Sequence, residues 1–391
     1  MTLGYLVPEF PDQTHAFFWR EIGAFEEAGT GVRIYSTRRP APESCPHAFA
    51  QQAMVRTTYL FPPRIDSFIA RLLTHPLRTL RASAYIMRLD ETPIKARLKL
   101  LGLLPSATTL VADARKAGVT HLHIHSCANA AHLGALANIL DDLPYSLTLH
   151  GDLPVYGADH AAKMKRANFV AAVTRPLSRQ VLLVSPATDA PVIWMGVNCA
   201  SFSPGPCPNN QIFTVATIAR LNHVKGHRFF LRAMARLRDQ GRIMHYKIAG
   251  DGPEKAAIEA EIRQLGLESQ VEMLGALNEA AVLDLLNRAD ALALTSIGKG
   301  EAAPVTVMEA MACGLPVICS RIGGTPDMIE DGTDGFLVEQ QDVATIAKLL
   351  LRMADEPELV ARIGSAARAN ALVKFDYQIN ARKLLDRITF G

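Results

Sequence analysis

TSIGKGEAAPVTVMEAMACGLP, residues 295 to 316, holds three structural pieces in one run. The preceding ADALALTS supplies an apolar strand, Gly298 and Gly300 break it, and VTVMEAMACG brings apolar residues back at helical spacing. Strand, glycine loop and helix in that order make a βα unit, which places the chain in the α/β class. Pro304 suits the first turn of the helix because it lacks the N–H that would go unpaired there. Such an N-terminus offers amides and a positive dipole end to an anion. Glu301 lies in the loop and Glu309 one helix deeper, so two carboxylates can bind sugar or ribose hydroxyls while the amides face phosphate. A solvated acidic loop ahead of an ordinary amphipathic helix would also explain Glu-x7-Glu taken alone, so the remaining motifs decide.

At 391 residues the chain is too long for one ordinary core, and two domains of roughly 180 residues are expected. Lys and Arg total 41 against 38 Asp and Glu, and the net +3 does not suggest nucleic acid. Hydrophobic content of 49% with 20% charge describes a well-packed globular protein. Six cysteines, at 45, 127, 199, 207, 313 and 319, form no CxxC and have no His at zinc-finger spacing, so they read as reduced thiols in a cytosol. The chain opens at once on a strand-like LGYLV without a basic n-region, which is not a signal peptide, and no apolar run reaches the length of a membrane span.

The first half alternates strands and helices. Leu3 to Val7 reads as a strand, Phe17 to Gly29 as an amphipathic helix ending at glycine, and VRIYSTR as the next strand, a Rossmann-like opening. The loop from Pro8 to His15, with Gln13, Thr14 and His15, then falls at a strand's carboxyl end, where ligands collect in doubly wound sheets. From Phe61 to Leu104 the pattern changes to helices, and between 64 and 99 eight cations face only Asp66, Asp90 and Glu91. Basic residues interleaved with Phe, Ile and Leu can seat a helix on an anionic membrane, and a solvated insertion packed on the sheet is the plainer alternative. HLHIHS and YSLTLHGD are buried-strand candidates. His150, between a strand and Gly151, should emerge at the sheet edge, and His121, His123 and His125 alternate as strand neighbours with a metal role left open. NFVAAVT and VIWMGVN read as further strands. SFSPGPCPNN, Ser201 to Asn210, lacks periodicity and reads as the linker and a plausible hinge. The second half restarts the βα alternation with IFTVATIAR, MHYKIAGDGP, VEMLGAL, ADALALTS, PVICS and DGFLV.

Arg220 and Lys225, in ARLNHVKG, stand five residues apart across a short loop and can both address a diphosphate, one as a fork and one as a point charge. Gly250 to Pro253 and the Glu301 to Glu309 unit also follow strands, so one sheet edge presents cations, bare backbone and two carboxylates.

Taken together, GVN at 196–198, ARLNHVKG at 219–226, AGDGP at 249–253, EAAPVTVMEAMACGLPVI at 301–318, GGTPDMIEDGTDGFLV at 323–338 and His150-Gly151 resemble the retaining nucleotide-sugar glycosyltransferases of the GT-B fold that carry a Glu-x7-Glu motif. YLVPEFPDQTHAFFWREI is similar to a branch associated with exopolysaccharide assembly, although the first loop lacks the Gly-Gly of many relatives. The resemblance implies two Rossmann-like domains facing across a cleft. Residues 1–200 would be the acceptor domain with its basic insertion at about 61–104, residues 211–374 the donor domain, and 375–391 a helix crossing back to the first domain.

It further implies a UDP- or GDP-sugar donor with no cofactor and no metal. Arg220 and Lys225 would hold the diphosphate with Gly250, Glu309 the ribose, and Glu301 with Ala302, Ala303, Pro304 and Val305 the donor sugar. His150 would face the reacting sugar. The acceptor would be a hydroxyl, on a lipid-linked saccharide by analogy with the branch, and the protein would sit peripherally at the inner face of the cytoplasmic membrane. By the same resemblance retention would proceed by front-face substitution; Glu301 and Glu309 are not placed to flank an anomeric carbon as the paired acids of a conventional mechanism. Two rivals fit the same frame. An epimerase would form product without an acceptor, and a non-catalytic partner subunit would be expected to have lost Glu301, Lys225 or His150.

Overall fold

A computed structural model describes residues 1–12, 16–41, 44–45, 47–206, 210–298 and 301–391. The chain divides into two compact units, one of Met1–Trp194 with Ala381–Gly391 and one of Met195–Asn380. The first unit holds β1 (Thr2–Glu9), β2 (Gly31–Arg38), β3 (Thr57–Tyr59), β4 (Val119–Ile124), β5 (Tyr145–Leu149) and β6 (Val170–Ala172). The second holds β7 (Thr214–Ile218), β8 (His245–Ala249), β9 (Val271–Gly275), β10 (Ala291–Leu294), β11 (Val317–Ser320) and β12 (Phe336–Val338). Both sheets are parallel, in the orders β3-β2-β1-β4-β5-β6 and β12-β11-β10-β7-β8-β9. Helices cover a parallel sheet on both faces, so its central strands need apolar residues on both sides. YSLTL in β5, ALAL in β10 and VICS in β11 are accordingly buried at every position.

Each sheet therefore runs outward from its first strand and then returns to that strand's other side. Connections leave β1 and β4 in opposite directions, as they do β7 and β10, and at such a reversal the loops at the carboxyl ends part to leave a crevice. The second unit's reversal lies between the loop holding Arg220 and Lys225 and the loop holding Glu301.

The expected strand at 192–198 does not form. Val192 makes a single bridge to Ala172 beside β6, whereas Val197 pairs with Asp376, its N–H reaching the carbonyl of Phe375 at 2.8 Å. The unit boundary falls between those two contacts, so no one sheet receives the run. The last helix, Tyr377–Phe390, starts in the second unit, and from Ala381 onward its residues belong to the first. The linker residues Cys207, Pro208 and Asn209 lie outside the described residues. The five described cysteines, 45, 127, 199, 313 and 319, are buried free thiols.

The basic segment is helical as expected, in helices Ile65–Thr74, Pro76–Met87, Ile94–Leu100 and Leu103–Lys116. One of its cations has turned inward. Arg71 is only 8% exposed and donates to the carbonyl of Leu140 and, at 3.1 Å, to Asp141 Oδ1, which also pairs with Arg115. This fastens the first basic helix to the end of helix Asn129–Asp141. Removing one partner of a buried pair leaves the other charge desolvated, whereas an exposed pair contributes little. Asp141→Asn should therefore lower stability by ~3 kcal/mol, read from the urea midpoint, while Arg64→Ala, which breaks the exposed pair with Asp66, should stay within ~0.5 kcal/mol of the parent. Equal midpoints for the two variants would refute the anchoring role.

Candidate functional site

At the second sheet's reversal the chain folds two loops onto one another. β7 ends at Ile218, Ala219 N–H still bonds Ala249 O at 3.0 Å, and Leu221 N–H reaches Asp251 O at 2.9 Å. A short 3₁₀ turn, His223–Lys225, then leads through Gly226 into helix His227–Arg238. Gly226 has φ +65°, and a Cβ there would lie 2.0 Å from the carbonyl oxygen of Thr295. Lacking one, it lets the loop after β10 come into direct contact. Thr295 Oγ1 donates to Gly226 O at 3.1 Å, and Ile297 N–H donates to Val224 O at 2.8 Å. From the far side Gly323, at φ +54°, closes on Glu301, where a Cβ would fall 1.7 Å from the Glu301 carbonyl oxygen, and Gly324 N–H donates to Ala302 O at 2.9 Å.

This stacking brings two of the expected site residues into contact. Lys225 Nζ lies 2.5 Å from Glu301 Oε2, which also accepts from Ser296 Oγ at 2.8 Å. The two charged side chains are only 17% and 12% exposed. A charge-assisted bond of that length in a partly dry place holds both groups at fixed positions before any ligand arrives. Arg220, by contrast, is exposed and makes no side-chain ion pair among the described residues. The sequence therefore names two cations for one loop, and the fold gives them different states, one tethered and one extended toward solvent.

Beneath the loop, His227 is 3% exposed and burial pulls its imidazole down to about 4, so no third positive charge builds up under Lys225 at neutral pH. Gly250 follows β8, with its N–H on Gly275 O at 2.7 Å, beside Arg220's loop. Ala302 and Ala303 continue from Glu301. Pro304 is the N-cap of helix Val305–Ala312, with φ −65° and ψ 117°, one position earlier than its expected place in the first turn. Pro304 O accepts from Val307 N–H at 3.2 Å, so the amides ahead of that bond have no intrahelical acceptor. Glu309 sits in the same helix, buried at 9% exposure.

The first unit has a separate polar cluster at its own reversal. His150 directly follows β5, and its N–H bonds the hydroxyl of Tyr156 at 2.9 Å. Its Nε2 lies 3.0 Å from His125 Nδ1, and His125 Nε2 lies 3.1 Å from Glu21 Oε1. His121 and His123 make their hydrogen bonds elsewhere, although the His123 ring packs 4.7 Å from that of His125. They bond Ser146 Oγ at 2.8 Å each, and His123 also bonds Thr148 Oγ1 at 2.9 Å, tying β4 to β5. Burial lowers His121 to about 4 and His123 well below the usual imidazole range. The alternation on β4 therefore serves the sheet for two residues and reaches the edge only with the third. Gln13, Thr14 and His15 lie outside the described residues.

Sequence reasoning missed Ser296, Glu21 and His125 as partners. Ser296 was visible as a strand-end hydroxyl five residues before Glu301. Glu21 carried no signal beyond a polar position on an amphipathic helix.

Residues 208–370 match the family described as glycosyl transferases group 1. Along 98% of its length the chain is 24% identical to a protein of Escherichia coli strain K12 described as a colanic acid biosynthesis glycosyltransferase, WcaL, of which the match spans 98%. It is 30% identical, over 45% of its length and 44% of the relative's, to the amylovoran biosynthesis glycosyltransferase AmsK of Erwinia amylovora. Among solved structures, the Anabaena protein Alr3699/HepE in complex with UDP superposes with a TM-score of 0.78 at 19% identity, covering 100% of both chains. With that family matched over residues 208–370, relatives aligned along its whole length and two parallel sheets of one reversing order, the chain is a glycosyltransferase of the GT-B fold.

Proposed function

We propose that the protein transfers a sugar, with retained anomeric configuration and without a metal, from a UDP- or GDP-sugar to a hydroxyl of a lipid-linked saccharide during exopolysaccharide assembly. The observation that carries the donor half is the Lys225–Glu301–Ser296 contact at the carboxyl-edge crevice of the second sheet, beside the exposed Arg220 and the N-terminus of helix Val305–Ala312. A diphosphate leaving group develops negative charge as the glycosidic bond breaks. Lys225, already held in place, together with the exposed Arg220 and the helix N-terminus on the same sheet edge, would stabilise that charge. Glu301 and Ser296 supply hydrogen-bond partners for sugar hydroxyls, and Glu309 supplies one for the ribose. His150 serves the transfer step. The polysaccharide assignment follows the relatives described as colanic acid and amylovoran biosynthesis glycosyltransferases.

The Lys225 assignment has a direct measurement. Lys225→Ala should cut turnover by at least ~10²-fold in a protein that still unfolds cooperatively, as loss of a preorganised electrostatic donor does. The double variant Lys225→Ala/Glu301→Gln should be no worse than the product of the single effects, because each single change breaks the same contact. Product formed in the absence of any acceptor would point to epimerisation instead, and full turnover by folded Lys225→Ala would remove Lys225 from the diphosphate site.

We also propose that the basic helices rest on an anionic membrane surface, at the inner face of the cytoplasmic membrane. No helix among the described residues is long and apolar enough to cross a membrane. Ile65, Ile69, Leu73, Leu77 and Leu80 are each more than half exposed, which costs solvation unless something covers them. Arg81, Arg88, Lys95 and Lys99 are exposed as well and make no side-chain ion pair among the described residues. Vesicles containing anionic lipid should therefore bind the protein more tightly than neutral ones, salt should weaken that binding, and Leu73→Ser with Leu77→Ser should reduce it further. Equal partition to both vesicle types would mean these helices only pack on the sheet.

A further inference from the structure

At the amino edge of its sheet the first unit opens into a groove of about 1270 Å³. The lining comes from helix Pro76–Met87, the end of helix Asn129–Asp141, residues 161–168 and residues 184–189. All of β5 separates the groove from His150, because Asp142 on the lining precedes that strand and His150 follows it. Five cations line it, Arg78, Arg81, Arg88, Lys165 and Arg166, and positions 78, 81 and 88 fall on one helical stripe. Two of the five have structural partners. Arg78 closes the end of helix Asn129–Asp141, donating to Leu140 O at 3.3 Å and pairing with Asp142 at 2.6 Å, and Arg166 reaches Asn138 Oδ1 at 3.4 Å. Arg81, Arg88 and Lys165 are exposed and make no side-chain ion pair among the described residues.

Of the carboxylates on the lining, Asp142 and Asp189 are already answered, by Arg78 and Arg387, which leaves Asp90 against three cations. Like charges gathered in one groove favour an anionic guest, and a guanidinium fork matches the oxygens of a phosphate. The borders of the groove are apolar. Leu77 and Leu80 on helix Pro76–Met87, and Leu183 next to the groove-lining Val184, are all more than half exposed. A soluble anion would neutralise the cations and leave these leucines wet, whereas a lipid answers both. The volume also exceeds the roughly 300–1,000 Å³ of sites for small soluble ligands.

We infer that this groove binds the phosphate-bearing headgroup of an anionic membrane lipid, with Arg81, Arg88 and Lys165 supplying the charge and the bordering leucines covered by its chains. The inference rests on the membrane reading above and goes beyond it, since the basic helices alone would settle on any anionic surface, whereas Lys165 and Leu183 lie outside that segment. Full-length protein titrated with phosphatidylcholine vesicles, with and without phosphatidylglycerol, separates the two. Wild type should bind the anionic vesicles more tightly. Arg81→Ala and Lys165→Ala should each weaken that binding about 5-fold, the effect of one charge near the surface. Leu183→Ser should weaken it as well, and Lys348→Ala, which removes an exposed cation from the second unit, should leave it unchanged. All four are surface changes, so melting temperatures should match the parent. A wild type indifferent to phosphatidylglycerol would overturn the membrane reading and the groove with it. Anionic preference kept in full by both Lys165→Ala and Leu183→Ser would leave the membrane reading standing and overturn the groove. Calorimetry with inorganic phosphate, against chloride at equal ionic strength, should show no binding. Lys165-dependent binding of inorganic phosphate, with vesicle binding that ignores Lys165, would assign the groove to a soluble phosphate and overturn the lipid.

Discussion

A parallel sheet whose strand order reverses cannot close its own carboxyl edge, and both units are built on that constraint. Between β7 and β10 the connecting segments leave in opposite directions, so backbone at the edge meets ligand or solvent instead of a further strand. What fills the edge is decided by how closely the loops approach. Gly226 against Thr295 and Gly323 against Glu301 allow contacts that any Cβ would block, and together they set Glu301 between two loops rather than at the tip of one. A single extra methyl at either position would part the loops and separate Lys225 from Glu301.

That ion pair is weak as a stabilising device. Two charges taken largely out of water lose hydration that their mutual attraction only partly restores, and an apolar pair of the same shape would often serve the fold as well. The contact makes more sense as preorganisation. In the proposed donor role Lys225 would stand where leaving-group charge appears, and Glu301 is held through Oε2 by Ser296 and Lys225. The contrast with Asp141 is instructive. There the charges of Arg71 and Arg115 converge on one carboxylate at the end of helix Asn129–Asp141, and the gain is attachment of the basic helices.

The loops that carry Lys225 and Glu301 were legible in the sequence because each lies within one local segment. Glycine, proline and charge at fixed spacing after an apolar strand already say where the loop turns and what it presents, so Lys225 and Glu301 could be named before their contact was seen. The contact itself was not legible. It joins residues 76 positions apart, and nothing local states that Gly226 will admit Thr295. The same limit hid the cluster around His125, since Glu21 comes from a helix and Tyr5, His125 and His150 from three different strands or their ends. VIWMGVN failed for a related reason. Its β-branched and aromatic residues satisfy a strand pattern, but hydrogen bonding divides them between Ala172 and Asp376.

The three histidines of β4 show how position along one strand changes the chemistry of identical side chains. His121 and His123 lie within the sheet, where a charged imidazole would lose its hydration. Both stay neutral and act as cross-links to the hydroxyls of Ser146 and Thr148 on β5. Two residues further along, the strand has ended, and His125 exchanges those hydroxyls for a carboxylate on one side and a second histidine on the other. The alternation that places all three on one face also points the last of them at the reversal between β1 and β4. A row of imidazoles that begins as support for the sheet therefore ends at its carboxyl edge.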